Sequence, residues 1–355
     1  MINFRLIRSQ MEQGKNEAEK AAINKLRRKN HLQPSDYYVE GILRSNRAIL
    51  GQAITLVESN APEHQSLAAE ILRKCIPFSG NSIRIGITGV PGVGKSTFIE
   101  ALGMKAIEEN KKPAILAIDP SSPISKGSIL GDKTRMETLS MSDSAFIRPS
   151  PSASSLGGVA RKTHETIFLC EASGFDFIIV ETVGVGQSEV AVHQMTDFFL
   201  LLMLAGAGDQ LQGIKRGIME MCDALLITKA DGENKNAATR AKAEYQSALH
   251  FYPPKESAWI PPVDLCSALT GEGIDRAWKI IQDFEIWQSA RGFKISQRNR
   301  QNIQWMNQTL KDLLVEQFFS KQHVAEALKK YTAMVESNKI SPFEAADMLL
   351  KEYSI

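Results

Sequence analysis

One nine-residue segment constrains the fold of this 355-residue chain more than any other feature: GVPGVGKST, at residues 89–97, fits the pattern GxxxxGK[ST]. The apolar run at 83–89 predicts a buried strand before it, and the sequence FIEALGMKAI predicts a helix after it. Glycines allow the backbone N–H groups to turn inward, toward an anion at the positive end of the following helix. The segment therefore predicts a phosphate-binding loop.

Each residue type in the loop suits a different part of a nucleotide. Gly92 and Gly94 shape the backbone, and Lys95 supplies a mobile positive charge for the β- and γ-phosphates. Ser96 offers a hydroxyl to Mg²⁺, and Thr97 is suited to the α-phosphate. The alternative, a glycine-rich turn that binds nothing, is disfavoured by the strand and helix on either side. The predicted binding residues of the loop are Gly89, Val90, Pro91, Gly92, Val93, Gly94, Lys95, Ser96 and Thr97.

Short apolar runs alternate with amphipathic helical patterns between 83 and about 286, which is typical of a mostly parallel α/β sheet. Helical spacing of apolar residues precedes this region from 35 to 76 and returns after 287. We therefore predict an N-terminal helical region at 1–80, a P-loop domain at 81–286 and a C-terminal helical arm at 287–355. The predicted strands span 83–89, 113–119, 175–182, 197–204, 223–231 and 261–268.

The C-terminal helical pattern contains an apolar stripe that either packs on the core or pairs with a second subunit. Its members are Ile303, Met306, Leu310, Leu313 and Leu314.

Charge and cysteine content narrow the partners and the compartment. The formal net charge is +2 with 23% charged residues, so no field of one sign predicts a nucleic acid or membrane partner. The four cysteines are scattered singly, without metal-ligand spacing, and are predicted to be mostly buried thiols of a cytoplasmic protein. The N-terminal residues lack the apolar core of a signal peptide, and the apolar run at 198–207 is too short to span a bilayer.

Acidic residues lie at the ends of the second and third predicted strands and in the segment after the second, where metal and γ-phosphate loops belong. Asp119 and Asp132 are placed to hold Mg²⁺ directly or through water, although helix capping and turn formation also use Asp. Glu181 could orient the attacking water or the Mg²⁺ shell, and Gly184 offers a backbone N–H to the γ-phosphate. Gln187 in this glycine loop is more typical of a solvent-facing side chain. The predicted catalytic residues are Lys95, Glu181 and Asp132, and the predicted metal residues are Ser96, Asp119, Asp132 and Glu181.

Two later segments are suited to reading a guanine base. Asp231 of TKAD can accept hydrogen bonds from both N1–H and the exocyclic amine of guanine, a donor pair that adenine lacks. The stem of Lys229 would lie along the base, and a backbone N–H near Ala268 could donate to the guanine carbonyl. Thr228 stands where ordinary GTPases have Asn, which weakens either base contact or loop bracing. The predicted base-site residues are Thr228, Lys229, Asp231, Ser267, Ala268 and Leu269.

Taken together, these motifs resemble those of the MeaB/ArgK-type GTPases, the methylmalonyl-CoA mutase-associated group. The resemblance covers most of residues 40–275 in order, and the stretch AIDPSSPISKGSILGDKTRM is distinctive of the group. The matching stretches are 46–59, 86–103, 117–136, 177–189, 206–223 and 227–234.

The resemblance implies a SIMIBI-type P-loop GTPase that uses GTP/GDP and Mg²⁺. It also implies a chaperone that gates adenosylcobalamin loading and protects an acyl-CoA mutase such as methylmalonyl-CoA mutase. Members of the group are similar in forming homodimers through C-terminal helices, and residues 209–215 correspond to an additional switch toward the mutase. Gln210 stands in this switch where an acidic residue is common.

Other functions remain open from the residues alone. A metal-delivery GTPase shares this sheet but needs clustered Cys or His ligands near its switches. A small-molecule kinase or transport-associated ATPase would need an acceptor pocket and a different base site. Nucleotide could also be a structural ligand without turnover. Since no arginine finger can be assigned, hydrolysis by a GTPase of this kind is predicted to be slow alone and faster with its partner.

Overall fold

The described part of this computed structural model comprises residues 32–118, 136–149, 156–182, 188–206 and 216–353. Within it, seven strands form one sheet in which all neighbouring strands are parallel, in the order β3-β2-β4-β1-β5-β6-β7. The strands are β1 (Ile83–Gly89), β2 (Pro113–Ile118), β3 (Phe146–Arg148), β4 (Phe177–Thr182), β5 (Phe198–Leu204), β6 (Ala224–Thr228) and β7 (Val263–Leu265).

Helices precede, connect and follow these strands, so the predicted α/β fold with helical regions at both ends is confirmed. They are α1 (Ser35–Leu43), α2 (Arg47–Glu58), α3 (Pro62–Cys75), α4 (Lys95–Glu108), α5 (Glu137–Ser140), α6 (Leu156–Ala172), α7 (Ser188–His193), α8 (Arg216–Met221), α9 (Lys235–Leu249), α10 (Ile274–Ala290), α11 (Phe293–Ser320), α12 (Gln322–Glu336) and α13 (Pro342–Tyr353).

The six predicted strands are all present, and their ends differ by a few residues from the predicted ones. The edge strand β3 was not predicted, because its three residues form no apolar run of strand length. The fifth predicted strand, at 223–231, was drawn too long: β6 ends at Thr228, since Lys229 takes a left-handed conformation with φ of 53°.

Helices cover both faces of the sheet, as parallel strands require. Along β4, Ile178 and Val180 belong to one apolar cluster, whereas Phe177 and Ile179 belong to the other. This alternation places the first cluster under α2, α3 and α6, and the second under α4 and α10. The nucleotide-type loops are thereby left at the carboxyl ends of the strands.

The N-terminal helices share the core of the sheet. α2 begins after Asn46, whose Oδ1 accepts hydrogen bonds from Ala48 N at 3.1 Å and Ile49 N at 3.2 Å. Both α2 and α3 pack against α6, and their buried residues join the cluster that contains Ile178. The four cysteines are buried free thiols, as predicted. Within the described ranges, no helix has the length and apolar content needed to cross a bilayer.

A buried ion pair fixes α11 to the amino-terminal edge of the sheet. The Arg298 guanidinium donates to Asp197 through Nε at 2.7 Å and through Nη2 at 2.6 Å. It also donates to Gly80 O at 2.6 Å and to Ser82 O at 2.8 Å. The Asp197 side chain is fully buried, so its charge depends on this partner.

The remainder of α11 presents the predicted apolar stripe to solvent. Side chains on it have exposed fractions between 46% and 63%. These residues are Ile303, Met306, Leu310, Leu313 and Leu314. After α11, helices α12 and α13 pack against each other, and Val324 and Tyr331 of α12 are buried. The stripe is therefore an unpartnered apolar face of the single chain.

A buried histidine makes the stability of the fold depend on pH. His164 stacks on Trp305 with ring centroids 4.9 Å apart, and burial lowers its pKa to about 3. An unfolded histidine has a pKa of about 6.5. The contribution of His164 to the free energy of unfolding is therefore fully present above that pH and is lost as the pH decreases toward the folded pKa. From pH 7 to pH 5 we expect this group alone to remove about 2 kcal/mol of unfolding free energy.

Chemical denaturation at the two pH values checks this expectation. The variant His164→Phe keeps an aromatic ring beside Trp305 and cannot titrate, so its pH-dependent loss should be smaller than that of the wild type by about the same 2 kcal/mol. Equal losses in both proteins would refute the role of His164.

Candidate functional site

The phosphate-loop sequence forms the predicted turn between β1 and α4. Gly94 precedes the helix with φ of 93°, a left-handed conformation that side chains disfavour. A Cβ at Gly89 would lie 2.5 Å from Leu202 O on the neighbouring strand, so only glycine fits there. Val93 N donates to Val90 O at 3.2 Å inside the turn. The loop therefore leads directly into the positive end of α4.

The residues of the loop differ in their exposure to solvent. Val93 is fully buried beneath the loop, and Lys95 is 9% exposed. Pro91, Gly92 and Thr97 lie at the exposed surface of the loop. Val90, Gly94 and Ser96 are half-buried.

The ammonium group of Lys95 lies against the loop backbone. Its Nζ donates to Gly89 O at 3.0 Å and lies 3.5 Å from Val90 O. Burial lowers the pKa of Lys95, and the negative charges of Glu181 and Glu189 act in the opposite direction. A partly desolvated cation at the start of a helix is suited to an anionic ligand.

Oxygen atoms from β4 and α4 meet beside Lys95. Register pairs Glu181 with Ile87 of β1, and Glu181 Oε1 lies 3.5 Å from Ser96 Oγ. One strand position on, the Thr182 hydroxyl donates to Thr88 Oγ1 at 2.8 Å and ties β4 to β1. Two oxygens bound side by side to one Mg²⁺ lie about 3 Å apart, so Ser96 and Glu181 would fit this ion after a small approach.

Several predicted site residues lie outside the described residues. These are Asp119, Asp132, Gly184, Gln187 and the segment 209–215 with Gln210. Among the residues that the structure describes, no group of three or more His, Cys, Asp or Glu side chains could hold a metal ion.

Thr228 joins the predicted base site to the phosphate loop. Its Oγ1 lies 2.7 Å from Val93 O and 3.2 Å from Met203 O, and the residue is buried. The hydroxyl at this position thus braces the loop, one of the two roles that the replacement of Asn by Thr was expected to weaken. A single hydrogen bond of this kind contributes about 1 kcal/mol.

The other base-site residues converge on the carboxyl ends of β6 and β7. The Ser267 hydroxyl donates to Asp231 Oδ2, and Ala230 N donates to Cys266 O at 3.1 Å. Lys229 Cε lies 3.9 Å from the position that a Cβ on Gly94 would occupy, so this side chain extends beside the phosphate loop. Ala268 is half-buried, and Leu269 is 83% exposed at the rim.

Glu189 is a charged residue near the phosphate loop that the sequence analysis did not single out. It lies in the first turn of α7, is 3% exposed, and carries a negative charge that acts on Lys95. An acid in the first turn after a glycine loop is a weak signal, because helix N-termini favour Glu and Asp generally.

The sequence of this chain is similar to those of known GTPases. The family described as "Methylmalonyl Co-A mutase-associated GTPase MeaB" matches residues 50–323. "GTPase ArgK" of Escherichia coli (strain K12) is 45% identical over 304 residues, which are 86% of this chain and 92% of that protein. "Methylmalonic aciduria type A homolog, mitochondrial" of Mus musculus is 42% identical over 328 residues, which are 90% of this chain and 79% of that protein.

A solved structure shares the architecture. The "Crystal structure of LAO/AO transport system kinase" superposes with a TM-score of 0.71 at 37% sequence identity, and the match covers 90% of this chain and 98% of that one. With a family match over most of the sequence and relatives above 40% identity over 79% to 92% of their length, this chain belongs to the MeaB family of methylmalonyl-CoA mutase-associated GTPases.

Proposed function

We propose that residues 89–97 bind the phosphates of GTP and GDP at the carboxyl edge of the sheet. The observation that carries this proposal is the brace from Thr228 to Val93, because it joins the phosphate loop to the end of β6, three residues before Asp231. Lys95 would leave the carbonyls of Gly89 and Val90 to contact the β- and γ-phosphates.

Guanine would be recognised by the ends of β6 and β7. The Asp231 carboxylate, held by the Ser267 hydroxyl, would accept from N1–H and the 2-amino group. Lys229 would lie along the base from the side of Gly94, and the backbone near Ala268 and Leu269 would meet the guanine carbonyl. An adenine base would leave Asp231 without these donors, so GTP is favoured over ATP.

Magnesium would be held by Ser96 and Glu181, together with Asp119 and Asp132, and when bound it would neutralise charge on the β- and γ-phosphates. Glu181 and Asp132 would orient the attacking water, and Lys95 would stabilise charge that develops on the β–γ bridge. We expect intrinsic turnover to be slow, because positioning and charge neutralisation are the only contributions assigned to this chain.

The client that we propose is an adenosylcobalamin-dependent acyl-CoA mutase such as methylmalonyl-CoA mutase. The family description and the names of the mitochondrial relatives both support this link. In this role the GTPase gates cofactor loading and protects the mutase in the cytoplasm, with the nucleotide state as its timer. The apolar stripe of α11 supports a homodimer, which a dimer mass in analytical ultracentrifugation would test.

A kinase or transport-associated ATPase is the second candidate, because the matched structure is titled as a transport system kinase. Calorimetric titration with GDP and with ADP, each with Mg²⁺, separates the two. Selective GDP binding, followed by GTP turnover that rises when a purified cobalamin-dependent mutase is added, is the expected result. Equal ADP binding would favour the kinase or ATPase, and indifference to the mutase would favour a metal-delivery GTPase.

Replacing Thr228 with valine should loosen the phosphate loop. The substitution keeps the shape of the side chain and removes the hydroxyl that donates to Val93 O at 2.7 Å and lies 3.2 Å from Met203 O. We expect the free energy of unfolding to fall by about 1–2 kcal/mol and GDP binding to weaken by up to about tenfold. Denaturant titration and calorimetry measure the two effects.

Two variants control this experiment. Thr228→Ser keeps the hydroxyl and should bind GDP like the wild type. Thr239→Val removes a hydroxyl that bonds to Lys235 O on the exposed face of α9 and should change neither quantity. Wild-type stability and affinity in Thr228→Val would contradict the bracing role.

A further inference from the structure

Helix α7 packs without a gap on the strand that carries the phosphate loop. A Cβ at Gly86 of β1 would lie 2.7 Å from Val192 Cγ1 and 2.9 Å from Thr196 Oγ1. The absence of a side chain at Gly86 therefore lets α7 and its following turn rest directly on β1. Any displacement of α7 changes the surroundings of the phosphate loop.

The amino-terminal turn of α7 contains buried polar groups with unmet hydrogen-bonding capacity. Ser188 is fully buried and Glu189 is 3% exposed, and Ser188 Oγ and Glu189 Oε2 have no hydrogen-bond partner within the described structure. A buried polar atom left in this way costs about 1–3 kcal/mol. Among the described residues, these two side-chain atoms therefore do not fix this end of α7 by hydrogen bonds.

Helix α11 holds the opposite end of α7. Gln301 Nε2 donates to Thr196 O at 2.8 Å and to His193 O at 3.3 Å, and Trp305 Nε1 donates to Gln194 O at 3.1 Å. Gln301 and Trp305 are four residues apart and so share one face of α11. Carbonyl groups at a helix C-terminus lack hydrogen-bond donors within the helix, and here α11 supplies the donors.

We infer that Gln301 is a positioning residue for GTP hydrolysis: it fixes α7 on β1, the strand that leads directly into the phosphate loop. This inference rests on the proposed GTPase site. Gln301 lies at the amino-terminal edge of the sheet and touches no group assigned to the nucleotide. Its effect must therefore pass through α7. The face of α11 that carries Gln301 and Trp305 accordingly has a positioning role, while the remainder of the helix bears the apolar stripe.

The test compares Gln301→Leu with Gln308→Leu in the full-length protein. Gln308 lies two turns further along α11, is exposed, and donates to Asp312 of the same helix. We expect Gln301→Leu to lower kcat about tenfold, because small misplacements remote from the reacting atoms reduce rate strongly, and to leave GDP affinity within about twofold. Gln308→Leu should change neither quantity.

A double-variant cycle shows whether Gln301 acts through α7. Glu189→Gln removes the charge on α7, and the combination with Gln301→Leu should hydrolyse GTP about as slowly as the slower single variant. Independent effects would instead multiply, and that result would overturn the inference. Equal changes in kcat and GDP affinity in Gln301→Leu would overturn it too, since they would indicate general loosening of the fold.

A milder variant covers the case in which Gln301→Leu does not fold. Trp305→Phe keeps a ring against His164, removes the bond to Gln194 O and makes a buried side chain smaller. It should lower kcat in the same direction by a smaller factor, again without additivity with Glu189→Gln. Wild-type kcat in this variant would overturn the inference. Absence of GTP turnover or of GDP binding in the wild type would refute the proposed function itself, whereas wild-type turnover with multiplying variants would refute only the role of Gln301.

Discussion

Replacing Lys95 with alanine is expected to weaken GDP binding by about a hundredfold or more while leaving the fold intact. The ammonium group is partly desolvated, so its attraction to a phosphate is stronger than that of a surface lysine. Its hydrogen bonds to Gly89 O and Val90 O join positions six and five residues apart, so their loss is local to the loop. Calorimetric titration with GDP measures the loss.

A lysine on the same helix provides the control for this substitution. Lys105 lies three turns along α4 and pairs with Asp275 and Glu109, away from the loop. Lys105→Ala should bind GDP like the wild type, and both variants should keep the circular dichroism spectrum and a cooperative thermal transition. Unchanged GDP affinity in Lys95→Ala would refute the phosphate-loop assignment.

Replacing Asp231 with asparagine is expected to redirect the base site from guanine toward xanthine. A carboxylate accepts two hydrogen bonds, whereas an amide side chain presents one acceptor and one donor. Guanine would then face a donor with its 2-amino group, and we expect GDP affinity to fall by about a hundredfold or more. Xanthosine diphosphate carries an oxygen at this position, so its affinity should rise above that of GDP.

Competition between the two nucleotides on one protein sample measures this change directly. Asp283→Asn makes the same chemical substitution at an exposed position of α10 and should keep the wild-type preference. An Asp231→Asn protein that loses both nucleotides equally would indicate that the carboxylate acts through Ser267 on the loop and does not read the base.

The longer strands of the sheet were predictable because β2, β4, β5 and β6 are largely contiguous apolar runs, and β1 places an isoleucine at every second position up to Ile87. Phe198–Leu204 contributes side chains to both apolar clusters, and such a run has few alternatives to a strand covered on both faces. The strand Phe146–Arg148 is different, since it has three residues at the sheet edge and is defined by its pairing with β2. Pairing of this kind is a tertiary property, and single-sequence patterns do not contain it.

The phosphate loop was predictable for a related reason, namely that its glycines, lysine and hydroxyl are adjacent in sequence. The brace from Thr228 to Val93 joins residues 135 positions apart, and the pair between Arg298 and Asp197 joins residues 101 apart. Hydrogen bonds over such separations follow from how helices and strands pack. For the same reason no local pattern distinguishes Gln301 from the other glutamines of α11.

The position of β1 between β4 and β5 also governs how this chain can assemble on a ribosome. Roughly 90 residues separate the end of β1 from the start of β4, and a ribosome needs about 5–20 s to add them at typical elongation rates. Throughout that interval the phosphate-loop strand has been synthesised but neither of its neighbouring strands has, so its apolar side chains and strand edges are without their partners. The order of strands that places the loop at the centre of the sheet therefore delays its burial until the middle of translation.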